Sequence, residues 1–148
     1  MIKNLEQNYI SVVLVINDDN NQVEKKIKEI KEVLDSNFKN NEIVVVDNTT
    51  KINPLESLKF LNFKHTEIKL PIKHRTQQAL NAGTAIAIGD YIVEIEDISF
   101  DIDYNKIIEI YKKSQEGYDF VFLTPKKSRK SSKIFYKILL TKILVHLL

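Results

Sequence analysis

The chain has no cysteine, so disulfides and thiolate metal sites are excluded. Glycine is scarce, with three residues in 148. We ascribe that scarcity, and the abundance of lysine, isoleucine and asparagine, to genome composition rather than function. No uninterrupted apolar run reaches the roughly 18 residues of a spanning helix. The opening "MIKNLEQNYI" has neither an apolar stretch nor a cleavage site, so no secretory leader is expected. Acidic residues are missing from Phe120 to Leu148, which carries Lys126, Lys127, Arg129, Lys130, Lys133, Lys137 and Lys142. The rest holds 15 basic and 20 acidic residues, so a mildly acidic body precedes a strongly basic tail. Such a tail suits an anionic partner: membrane headgroups, nucleic acid or an acidic surface.

What is present reads as one domain. A length of 148 residues suffices for a single core. Strand and helix alternate. "YISVVLVI" (Tyr9–Ile16) is short, apolar and β-branched, the pattern of a strand buried on both faces. Val23, Ile27, Ile30, Leu34 and Phe38 recur at helical spacing. "NEIVVVD" (Asn41–Asp47) predicts a second buried strand and "TEIKL" (Thr66–Leu70) a short third. Pro54 suits the first turn of a short helix to about Phe60. A helix is predicted over Arg75–Ile88, ended by Gly89. "DYIVEIE" is the next strand. A helix over Tyr104–Glu116 follows, capped by Asp103 and stopped by Gly117, then a strand over Tyr118–Thr124. Pro125 and "KKSRKSS" read as a linker, and Ser132–Leu148 as an amphipathic helix with an apolar face too broad to leave in water. The domain division is thus 1–125, then a basic linker and helix over 126–148.

Repeated alternation predicts an α/β fold, a mostly parallel sheet with helices on both faces. Ligands in such sheets sit beyond the carboxyl ends of the strands. Those ends here are "NDD", "DNTT" and "EIED", all acidic. Acids gathered on one rim repel each other unless a cation is shared. His65, His74 and His146 have no ligand-like spacing, so zinc is not expected. A phosphate-receiving regulator domain also places acids after a first strand, but no matching later Thr and Lys pair is present.

Several stretches together resemble family 2 glycosyltransferases of the nucleotide-sugar-binding GT-A fold. "SVVLVINDDN" is similar to the family's opening strand and acidic turn, with Asp18 and Asp19 in the Asn-Glu positions. "EIVVVDNTT" is similar to the strand ending in Asp-Asp-x-Ser, with Asp47 as first Asp and Asn48 in place of the second. "ALNAGTAIAIGDYIVEIED" follows Ala-x-Asn-x-Gly, a helix, then Gly-Asp-Tyr-Ile and a strand, with Asn81, Gly83, Gly89, Asp90 and Tyr91 in place. "YNKIIEIYKKSQEGYDFVFLT" continues the match. The basic segment after it is similar to that of polyprenyl-phosphate sugar synthases.

The resemblance implies a Rossmann-like GT-A domain that binds a nucleoside-diphosphate sugar. It places Asp47 at the nucleobase and Asp19, Arg75 and Asn81 around the nucleotide. It puts Glu96 and Asp97 on a divalent cation, Mg²⁺ or Mn²⁺, with Glu94 as a substitute ligand on the face of Glu96. The family's Asp-x-Asp is degenerate here, because its last position is Ile98. Adjacent strand residues also face opposite ways, so Glu96 and Asp97 share an ion only if the chain turns there. No stretch after Thr124 resembles the family's acceptor-binding portion, so no catalytic base is named. The expected activity is sugar transfer to a cell-surface glycan or lipid-linked phosphate. The alternative is an inactive scaffold of the same fold. The expected location is cytoplasmic, peripheral at the inner face of the membrane. Residues 129–148 would meet an anionic membrane surface or a second copy, and no nucleic acid partner is expected.

Overall fold

The computed structural model describes residues 4–17, 22–50, 58–59, 61–99, 101–123 and 138–142. Its elements are β1 (Glu6–Ile16), α1 (Val23–Asp35), β2 (Phe38–Asp47), β3 (Thr66–Lys69), α2 (Thr76–Thr84), β4 (Tyr91–Ile95), α3 (Lys106–Ser114), β5 (Phe120–Phe122) and β6 (Ile138–Lys142). They form one six-stranded sheet in the order β3-β2-β1-β4-β6-β5. β3, β2, β1 and β4 are mutually parallel. β6 runs antiparallel to both of its neighbours, β4 and β5.

The alternation of β1 gives the sheet two buried faces. Ile10, Val12, Leu14 and Ile16 enter a core shared with Val23, Ile27, Ile30 and Leu34 of α1 and Ile107, Ile110 and Tyr111 of α3. Val13 and Val15 point the other way, into a smaller core with Val44, Val46, Ile92 and Ala79 and Leu80 of α2. The predicted helices on both faces are therefore present. Gly83 lets α2 lie close on the sheet, since a Cβ there would overlap Val13 Cγ1 and approach Val46 Cγ2 at 2.8 Å. At the amino ends of the strands, Tyr111 packs edge-on against Phe38 and Tyr91, with ring centroids 4.9 and 5.3 Å apart.

Several expected boundaries move. Phe38 opens β2 instead of closing α1. The helix stops at Asp35, and Asn37 Nδ2 donates to the Val33 carbonyl at 2.7 Å, satisfying one of its last acceptors. The helix expected over Arg75–Ile88 ends at Thr84 and continues as tight turns, with Ile86 N–H donating to Gly83 and Ala87 N–H to Thr84. Gly89 does not end it; its role is close approach to β1, where its N–H donates to Ser11 Oγ at 2.8 Å. Asp103 does not cap α3 at Tyr104. Its carboxylate accepts from the backbone and side chain of Asn105, both at 3.0 Å, so a turn precedes a helix that starts at Lys106. Gly117 follows α3 at φ 100°, the left-handed conformation that glycine adopts freely. Of the helix expected after Pro54, only Leu58 and Lys59 are described, and they form a single 3₁₀ turn.

The largest correction concerns the carboxyl-terminal segment. A helix was expected over Ser132–Leu148, but Ile138–Lys142 form β6, inside the sheet between β4 and β5. These residues therefore belong with the sheet, and a divide at residue 125 does not separate them from it. Short apolar runs fit both periodicities, and the long-range environment decides between them. Here β4 has all five residues buried, and without β6 one side of its backbone would lack ladder partners. The other residues of 124–148 lie outside the described set.

Candidate functional site

Because β1, β2 and β4 are parallel, their carboxyl ends share one rim. Ile16 pairs with Asp47, and Leu14 with Ile95. Asp47 and Glu96 therefore sit on the same rim with β1 between them, two strand spacings or roughly 10 Å apart. Strand order reverses direction at β1, the position where open α/β sheets form a ligand crevice.

Amide side chains join this rim. Asn48 is completely buried; its Nδ2 donates to Asn17 Oδ1 and to the His74 carbonyl, both at 2.9 Å, and its Oδ1 accepts from His74 N–H at 2.8 Å. Asn17 Nδ2 in turn donates to the Glu96 carbonyl at 3.2 Å and to Thr76 Oγ1 at 3.4 Å. One chain of hydrogen bonds thus links the ends of β2, β1 and β4 to the start of α2. Arg75 stands exposed at that start, with its N–H donating to Gln78 Oε1 at 3.2 Å. Lys73 Nζ reaches the Asn17 carbonyl at 3.4 Å. Asn81 lies on the exposed face of α2, where its Oδ1 accepts from Gln77 Nε2.

Asp47 is completely buried at the end of β2. Its Oδ1 accepts from Thr49 N–H at 2.9 Å. Its Oδ2 makes no hydrogen bond and lies 3.9 Å from the half-exposed Lys69 ammonium. Thr49 Oγ1 is likewise buried without a hydrogen bond. Beside these atoms opens a cleft of about 350 Å³ lined by Thr49, Thr50 and the segment from Lys69 to Lys73. That volume is in the usual range for a small-molecule pocket, roughly 300–1,000 Å³.

The acidic stretch after β4 divides. Glu94 is buried, not half-exposed as expected, and faces α2, where its Oε1 accepts from Thr84 Oγ1 at 3.1 Å. That position is below the rim, level with Val13. Glu96 lies in a bend just past β4, so the chain does turn where two adjacent carboxylates would need it to. Asp97 is half-buried and accepts Ser99 N–H at 2.8 Å. Ile98, in the last Asp-x-Asp position, is a core residue whose N–H donates to the Val15 carbonyl at 3.3 Å. Lys26 of α1, almost fully buried, donates to the Ser99 carbonyl at 2.8 Å and pairs with the exposed Asp101 at 3.3 Å. Burial, with Glu29 and Asp101 nearby, pushes the Tyr104 phenol up to about 12.

Among the described residues, no three His, Asp or Glu side chains are grouped to hold a metal. Glu96 and Asp97 alone still suit a Mg²⁺-type ion, which takes one or two protein carboxylates and completes its shell with water and substrate phosphates. Asp18 and Asp19 lie outside the described residues. The sequence reading had passed over Asn17, Lys26, Thr49, Lys69 and His74. Lys26 had a signal: it falls in the apolar stripe of α1, three residues after Val23 and four before Ile30. Lys69 and His74 had none, since only the parallel pairing of β3 with β2 sets Lys69 beside Asp47.

No family model matches the chain, and no curated protein matches it by sequence. Among solved structures, it is similar to a mannosyltransferase from Pyrobaculum calidifontis, solved in complex with GDP-Man and Mn²⁺. The TM-score is 0.69 at 15% identity, over 93% of this chain. The chain has a glycosyltransferase fold. It spans 45% of that neighbour's length.

Proposed function

We propose that this chain is the nucleotide-sugar-binding half of a family 2-like glycosyltransferase of the GT-A class. The observation that carries the reading is the shared rim, where Asp47 with its cleft and Glu96 with its bend lie either side of β1, joined through Asn48 and Asn17. The nucleobase lies in the cleft by Asp47, and the ribose and diphosphate run across β1 towards Glu96. Arg75, Asn81 and Asp19 complete the nucleotide site. The GDP-Man and Mn²⁺ of the structural neighbour support a nucleoside-diphosphate sugar and a divalent cation here. Glu96 and Asp97 would hold Mg²⁺ or Mn²⁺ once the diphosphate supplies the remaining oxygens. The ion would stabilise the departing diphosphate while an acceptor hydroxyl or phosphate attacks the anomeric carbon. The acceptor is a cell-surface glycan or lipid-linked phosphate. The protein works in the cytoplasm at the inner membrane face, held there by the basic residues from Lys126 to Lys137. Vesicle sedimentation tests this last point, since replacing those lysines and Arg129 by glutamine should release the protein from anionic vesicles.

Calorimetric titration with UDP and GDP, with and without Mn²⁺, tests the site. Binding should be strengthened by the metal and weakened at least about tenfold in Asp47→Ala, a loss of the size expected for one buried charged partner. Binding that Asp47→Ala leaves intact ends the assignment. One observation favours the inactive scaffold: the burial of Ile98 where a second metal carboxylate would stand. Under that reading, Mn²⁺ does not change nucleotide affinity.

A further inference from the structure

The cleft at the end of β2 has a polar floor whose atoms lack partners. Asp47 Oδ2 and Thr49 Oγ1 are both buried without a hydrogen bond. Groups left in that state cost folding free energy, and a site built to hydrogen-bond a ligand is the usual reason for keeping them. Their arrangement is ordered. Oδ1 of Asp47 is held by Thr49 N–H and Oδ2 faces Lys69, so the carboxylate stands between Thr49 and Lys69. The sequence of groups is hydroxyl, acceptor-only carboxylate, ammonium donor. Leu70, Pro71 and Ile72 provide an apolar wall beside them, with Ile72 well exposed.

We infer that this floor selects nucleobases carrying a ring N–H next to a carbonyl, namely uracil and guanine, over cytosine and adenine. The inference rests on the nucleotide reading above and adds the choice of base. Lys69, half exposed, moves from its 3.9 Å position over Asp47 to the base carbonyl and opens Oδ2 to the ring N–H. In uracil the third group is a second carbonyl, to which the Thr49 hydroxyl donates. In guanine it is an amino group, from which the same hydroxyl accepts. Cytosine and adenine present a bare ring nitrogen at the central position. Its lone pair would face the carboxylate with no proton between them, leaving a charged group buried and unpaired.

The test is a titration of the whole chain with UDP, GDP, CDP and ADP. UDP or GDP should bind at least about tenfold more tightly than CDP and ADP. Lys69→Met should reduce that preference by about tenfold, with little change for CDP. Asp47→Asn places an amide donor where Oδ2 stood and should move the preference towards CDP. Equal affinity for all four overturns the base selection while leaving a nucleotide site. Failure of all four to bind overturns the nucleotide reading, and this inference with it. A Lys69→Met loss that is the same for every base, or an Asp47→Asn protein with an unaltered UDP to CDP ratio, also overturns it.

Discussion

Replacing Asn48 by aspartate, the residue that family 2 sequences carry at this position, should destabilise the protein by about 3 kcal/mol at neutral pH. The change is isosteric, so packing is not at issue. Asn48 donates two hydrogen bonds, to Asn17 Oδ1 and the His74 carbonyl, and accepts one from His74 N–H. Aspartate keeps the accepted bond and turns both donations into contacts between a carboxylate and a carbonyl oxygen. The position is fully buried, so water cannot substitute. Burial and these oxygens would raise the aspartate pKa in the folded state above its unfolded value of about 3.9. The variant therefore recovers stability as pH falls and loses it as pH rises through the folded value. Urea unfolding of both proteins at pH 7 and near pH 4 would check this. A variant within about 0.5 kcal/mol of the parent at pH 7 would mean that the amide chain adds nothing to the rim.

Gly89→Ala should cost about 3 kcal/mol, at the upper end for overpacking. A Cβ there would lie 2.5 Å from Ser11 Oγ, 2.7 Å from Ser11 N and 3.0 Å from the carbonyl carbon of Ile10. Two of the three obstacles are backbone of β1, which is pinned between β2 and β4 and cannot retreat. The third, Ser11 Oγ, accepts from Gly89 N–H and donates to Glu42 Oε1 at 2.5 Å, while the same Glu42 oxygen accepts from Ile88 N–H at 2.7 Å. Displacing it would break three bonds. Gly117→Ala is the control: its Cβ meets nothing within 4 Å, and only the positive φ is strained, a cost of about 1 kcal/mol. Comparable thermal shifts for the two variants would contradict this account.

Much of this architecture was legible because two periodicities dominate the chain. The β-branched runs of β1 and β2 admit little but a doubly buried strand, and the stripe from Val23 to Leu34 fits only a helix. The tail was misread because "KILLTK" satisfies both periods, and what decides between them is β4, more than forty residues earlier. The rim was half legible. Acids at strand ends pointed to the right edge, but what joins that edge is a pair of asparagines, and asparagine after a strand usually marks only a turn. Lys69 was invisible because its importance comes from strand pairing, which no local pattern encodes.

β6 has a consequence for how the molecule is made. β5 has no neighbour in the sheet except β6, and β6 lies between two strands that precede it in the chain. During synthesis, β5 must wait without a partner until residues 138–142 emerge. The four parallel strands need no such delay. The nascent polypeptide can therefore assemble the rim of Asn17, Asp47 and Glu96 first and close the far margin of the sheet last.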